Sequence, residues 1–173
     1  MLFRSISFTS NGASADTTSD GRTRTSWIDL SGKITITSAA GTVTLKGFKI
    51  SNTSASSQLI VTNASVRTNI RNCWINVDPA SAVTSVPTNG AIHLARAGEL
   101  VTSQCKITRP VKDGDESEQY MRAFTCASGN GSKLVRFEDC DVEGTIQLSG
   151  LSSLSVVTIK GNNIDDAGID GIS

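Results

Sequence analysis

The chain has 173 residues, 16 basic and 16 acidic, so its formal net charge is zero, and aromatics make up only 5% of it. That length suits one domain with a real interior, and the balanced charge argues against a general nucleic-acid footprint, which needs a uniformly basic surface. No apolar run is long enough to span a membrane, and Met1 to Ser7 lacks the apolar stretch of a signal peptide.

Residues 1–33 precede the first clear repeat. Leu2 to Phe8 alternates as a strand does, Trp27 to Leu30 is a second candidate strand, and the polar stretch Ser10 to Thr25 between them reads as a loop or arm. The segment is expected to act as an N-terminal cap, because the first coil of a solenoid exposes edges that need covering.

From Ile34 onward one pattern occurs five times, over 34–50, 58–75, 91–107, 123–142 and 144–164. Each copy holds an alternating apolar run, a small-residue bend, a second alternating run and a closing triplet. Alternation at period two marks half-buried strands. The closing residues are Ile50, Ile75, Ile107, Val142 and Ile164, and two positions before them stand Phe48, Cys73, Cys105, Cys140 and Asn162. A unit that cannot bury its own apolar face must stack on its neighbours, so these positions are expected to form inward ladders. Three of the four cysteines share one ladder position; Cys126 does not. With no C-x-x-C pair and a single histidine, they read as reduced core cysteines rather than a zinc site, and no disulfide is expected.

Two connections of 15 residues, 76–90 and 108–122, leave adjacent coils at the same point, where insertions often build a binding surface. The second contains Asp113-Gly-Asp115-Glu116, hard oxygen ligands in a tight turn, but the twelfth position from Asp113 is Phe124 rather than an acid, so a solvated loop is expected and no metal. Charge is split along the chain: residues 1–109 carry 11 − 5 = +6 and residues 110–173 carry 5 − 11 = −6. After Ile164, the run Asp165 to Ser173 reads as the start of another coil, completed by further chain or by another subunit.

The tails K-G-F-K-I (46–50), R-N-C-W-I (71–75), S-Q-C-K-I (103–107), E-D-C-D-V (138–142) and K-G-N-N-I (160–164), in coils of about 22 residues, resemble the right-handed parallel β-helix superfamily with the pectate-lyase-like fold. The resemblance implies an all-β, short, single-stranded right-handed parallel β-helix of about five to six coils over 34–173, with a cap over 1–33. That fold carries pectinolytic enzymes, phage tailspikes and non-enzymatic virion proteins, so it does not decide function.

Galacturonase-type members use N-x-D, D-D and G-H-G motifs followed by R-x-K. Here Asn162-Asn-Ile-Asp165-Asp166 and Gly168-Ile-Asp170 are superficially similar to the first two elements, but no G-H-G follows. If the chain is an enzyme, a polysaccharide lyase or glycoside hydrolase, Asp165, Asp166 and Asp170 are its candidate catalytic residues. His93, between Ile92 and Leu94, and Trp74, between Cys73 and Ile75, are expected to face outward. An exposed Trp on a regular sheet reads as a contact, either sugar stacking or a subunit interface. Ile169 and Ile172 add apolar surface at the last coil, which makes Trp74, His93, Ile169 and Ile172 the candidate interface.

The functional expectation is a non-enzymatic virion structural protein, of the capsid decoration, cement or spike type. It would work as a homotrimer against another virion protein such as a major capsid protein, in a particle assembled in the host cytoplasm, with no cofactor, nucleic acid or membrane. The alternative is a polysaccharide-binding or polysaccharide-cleaving module.

Overall fold

The computed structural model of the chain describes residues 5–9, 16–17, 23–24, 26–29, 33–37, 41–52, 58–62, 66–77, 88–108, 122–127, 131, 134–148, 151, 155–165 and 169–170, with side-chain burial given for those between 33 and 164. Three six-stranded parallel sheets share them, and in each sheet spatial order follows chain order. The first face stacks Ser5–Thr9, Thr42–Lys46, Arg67–Arg71, Glu99–Ser103, Leu134–Glu138 and Val156–Lys160. The second stacks Ser26–Asp29, Phe48–Asn52, Trp74–Val77, Lys106–Thr108, Asp141–Glu143 and Asn163–Asp165. The third stacks Ile34–Ile36, Ile60–Thr62, Ile92–Leu94, Arg122–Cys126, Thr145–Gln147 and Ile169–Asp170. Taking one strand from each face in turn defines six rungs of a parallel β-helix, numbered 1 to 6 from the N-terminus. A short antiparallel ribbon, Asp16–Thr17 with Thr23–Arg24, lies within rung 1.

Two features refine the reading of the repeat. The closing triplet is a strand in its own right, so each rung has three strands rather than two. Ser5–Thr9 and Ser26–Asp29, from the segment read as a cap, pair in parallel with rung 2 and are part of the stack.

Alternation sets the interior on the first two faces. Val43, Thr68, Leu100 and Val135 form one inward ladder in register, Leu45, Ile70, Thr102 and Phe137 a second, and Ile50, Ile75, Ile107 and Val142 a third. All of these are buried. Phe124 of the third face meets Phe137 of the first edge to face, with centroids 5.4 Å apart at 71°, a favoured aromatic geometry.

A single residue turns the chain from the first face to the second, and it has positive φ in every rung from 2 to 6: Gly47 (77°), Asn72 (49°), Gln104 (53°), Asp139 (53°) and Gly161 (65°). The left-handed region is open to Gly and tolerated by Asn and Asp, but costs other residues about 1–2 kcal/mol, so Gln104 is the strained member. The N–H of this residue donates to the next rung, as from Asn72 to Ser103 O (3.0 Å) and from Gln104 to Glu138 O (3.0 Å).

The residue after the bend is the cysteine position. Cys73, Cys105 and Cys140 are free and buried, with Phe48 buried ahead of them. Two of the thiols bind back to the rung before them: Cys73 Sγ donates to Leu45 O (3.7 Å) and Cys105 Sγ to Ile70 O (3.5 Å), while the Cys73 N–H donates to Cys105 Sγ (3.5 Å) and Cys140 Sγ donates to Glu138 O of its own rung (3.4 Å). In rung 6 Asn162 makes the same pair of contacts, its Nδ2 donating to Phe137 O (2.9 Å) and its Oδ1 accepting the Cys140 N–H (2.8 Å). Cysteine here does the hydrogen bonding of an amide with a weaker donor and a smaller volume.

Candidate functional site

On the second face the outward column is Lys49, Trp74, Lys106, Asp141 and Asn163, one residue per rung in register. Parallel strands in register place these side chains about 4.8 Å apart, close enough to bind along the stack. Lys49 Nζ sits 3.8 Å from the centre of the Trp74 ring and Lys106 Nζ 5.7 Å from it. The indole Nε1 donates to Thr108 Oγ1 at 2.9 Å. Lys106 Nζ lies 3.8 Å from Asp141 Oδ2, and Asn163 Nδ2 donates to Asp141 Oδ1 at 3.1 Å. Trp74 thus faces outward and is half-buried, but its polar handle and its ring engage the neighbouring rungs. The cation–π contacts lower the cost of keeping it on the surface.

His93 was expected to face solvent, and it does not: it is only 8% exposed. In rungs 2 and 3 of the third face every strand residue is buried, including the outward positions Val61 and His93, and Thr125 follows them in rung 4. Alternation sorts in from out only where the outer side of a sheet is wet, and here it is not. His93 Nδ1 lies 2.9 Å from Thr125 Oγ1, and that oxygen accepts the Gly90 N–H at 2.7 Å. With the oxygen receiving from Gly90, the hydroxyl proton can be given to Nδ1, so a neutral ring protonated on Nε2 satisfies all three groups. Burial pushes the imidazole below its ordinary value, a hydrogen bond with the Thr125 backbone opposes this, and the Lys33 ammonium adds to the lowering. Gly90 fits only as glycine, since a Cβ there would come within 2.8 Å of the Phe124 backbone.

At the corner between the third and first faces, a groove of about 390 Å³ is lined by Gly41, Val66, Ala97, Gly98 and Gly131, with Arg67 and Glu99 on its wall. Arg67 Nε donates to Glu99 Oε2 at 2.6 Å, and both side chains are partly exposed. Sequence reasoning did not single out this pair, because the two residues stand 32 positions apart and meet only through the register of rungs 3 and 4.

Of the candidate catalytic aspartates, Asp165 and Asp170 are on different faces. Asp165 ends the rung 6 strand of the second face, in register with Glu143, while Asp170 lies on the third face in register with Gln147. Ile169 stands in register with Ile146, a buried core position. Asp166, Ile172 and the acidic run Asp113 to Glu116 lie outside the described residues. Among the described residues no three His, Cys, Asp or Glu side chains gather as metal ligands would, and no helix is long and apolar enough to cross a membrane.

The chain matches no protein-family model, no curated protein and no solved structure. Its own geometry therefore carries the functional argument. The groups with chemical potential fall into two kinds. His93, Cys73, Cys105 and Cys140 are buried and hydrogen-bonded to neighbouring rungs. The charged side chains are outward and arranged by rung: basic on rungs 2 and 3, acidic on rung 5.

Proposed function

We propose that the protein is a non-enzymatic structural protein of a virion, a decoration, cement or spike-type component that binds a particle surface as an oligomer. The observation that carries the non-catalytic reading is the engagement of the reactive groups by the stack: the one histidine is buried against Thr125, and Trp74 is held by Lys49 and Thr108. The virion setting is supported by the resemblance of the bend and ladder tails to the pectate-lyase-like β-helix superfamily, which includes virion proteins. In this reading the β-helix is a rigid body that presents charged faces to copies of itself and to a shell protein.

The test is a digestion screen on pectin and other acidic polysaccharides together with co-sedimentation on particles. The reading expects no reducing ends or unsaturated sugars, and association with a particle. Product release would overturn it and favour the second reading, a polysaccharide-binding or polysaccharide-cleaving module. The groove beside Arg67 and Glu99, with its small-residue lining, is the observation in favour of that alternative. In that event Asp165, Asp166 and Asp170 are the first residues to replace.

A further inference from the structure

The corner between the first and second faces carries an ordered charge pattern. Counting outward side chains on those two faces, rung 2 has Lys46 and Lys49 (+2) and rung 3 has Arg67 and Arg71 (+2). Rung 4 has Glu99 and Lys106 (0). Rung 5 has Arg136 against Glu138, Asp139, Asp141 and Glu143 (1 − 4 = −3). The basic and acidic rungs therefore lie on one side of the molecule, with rungs 2 and 5 three rungs or roughly 14 Å apart.

Within the basic half, Lys46 and Arg71 stand directly opposite each other in register and both are exposed. Neither has an acidic partner among the described residues. Like charges at directly opposed positions destabilise a sheet, and Lys49 stands on the same rung across the Gly47 bend. The chain carries the matching acids at the same corner, with Asp139 exposed on the bend itself and Glu138 and Asp141 beside it. Together these acids outnumber the cations near them, Arg136 at 3.6 Å from Glu138 and Lys106 at 3.8 Å from Asp141.

We propose that a second copy of this chain docks on this corner, antiparallel, about a two-fold axis crossing between rungs 3 and 4. Lys46 and Lys49 of each copy then face Glu138, Asp139 and Asp141 of the other, and Arg71 faces the neutral Ser103 and Gln104. Such a contact is isologous, so one patch serves both copies and both halves are complementary at once. A parallel, unstaggered arrangement along this corner would instead set Lys46 and Arg71 against their own copies. The contact is made by exposed charges rather than by an apolar surface, so the dimer is weak and salt-sensitive: screening acts beyond about 8 Å at physiological ionic strength. This contact stands independently of the virion reading.

Sedimentation of the full chain at low and high salt tests it, using two charge reversals at outward positions: Lys46→Glu with Arg71→Glu, and Glu138→Lys with Asp139→Asn. The wild type is expected to dimerise at low salt and to dissociate at high salt. Each reversal alone should weaken self-association by about 10-fold or more. An equimolar mixture of the two should recover the dimer, since each then meets its complement. If a reversed pair fails to give the wild-type circular dichroism spectrum, the neutral pair Lys46→Gln with Arg71→Gln replaces it, with the same loss expected. A wild type that stays monomeric at low salt, reversals that associate as well as the wild type, or a mixture that fails to recover the dimer would each overturn the proposal. A trimer indifferent to both reversals would overturn it too, while leaving the oligomeric reading of the function in place.

Discussion

Rungs 5 and 6 are built from nearly the same residues, yet they are not equally buried. Val135, Phe137 and Val142 of rung 5 are fully buried. Their register partners in rung 6 are Val157, which is 38% exposed, and Ile159 and Ile164, both half-buried, while Val156 beside them is 57% exposed. Rung 5 has neighbours on both sides; rung 6 has a described neighbour only on rung 5. A rung's core is therefore lent by the rungs that flank it, and the same side chain contributes differently according to its place in the stack.

The largest break in this symmetry is expected from a buried charge. Cys105→Asp places a carboxylate with no cationic partner in a fully buried ladder and should destabilise by about 3–5 kcal/mol. The same residue introduced at the rung 6 ladder position, Asn162→Asp, loses only the amide donor to Phe137 O and should cost about 1–2 kcal/mol. Urea midpoints with unchanged slopes would measure both, and equal costs would contradict the comparison.

Cavity formation comes next. Phe137→Ala should cost about 3–5 kcal/mol and Ile159→Ala, its half-buried register partner, under about 2 kcal/mol. Smaller changes sharpen the account of the central rungs. Thr102 is fully buried and its Oγ1 has no hydrogen-bond partner, as is also true of Thr68 and Thr62. Thr102→Val removes a hydroxyl that lost water on folding and should raise stability by about 1 kcal/mol. Gln104→Gly relieves the left-handed bend, offset in part by the entropy of glycine, for a net gain of about 0.5–1 kcal/mol. Gly161→Ala, at the equivalent bend of rung 6, should destabilise, because its Cβ would meet Asp139 Oδ1.

The smallest effect is on pH. The buried His93 has its pKa lowered from the ordinary value of 6.5, chiefly by burial. The unfolded chain therefore takes up the proton first, so the stability that comes from keeping His93 neutral is complete above that value and declines as pH falls through it. His93→Gln should flatten the slope of stability against pH below neutrality, measured by thermal unfolding, and an unchanged slope would exclude His93 as its source.

The sequence made the ladders legible because strand alternation and the closing Ile or Val recur at a fixed offset. Gly47, Asn72, Asp139 and Gly161 are types that favour a left-handed bend, so that column could be read from residue preferences; Gln104 could not. The engagement of Trp74 by Lys49 and Thr108, and the Arg67–Glu99 pair, depend on residues 25 to 34 positions apart that meet only once register is set. His93 was misplaced for a different reason. Period two distinguishes two sides of a strand but not whether the outer one is covered, and Val61, a buried apolar residue in the same outward column, was the available hint.

The central claim, that each rung borrows its stability from its neighbours, is tested most directly by native-state hydrogen exchange resolved by residue. The account predicts that amides of Leu100 to Thr102 and Val135 to Phe137 exchange only through global unfolding, while those of Val157 to Ile159 exchange through local opening and are protected less by at least about two orders of magnitude. Uniform protection from rung 4 through rung 6 would contradict it.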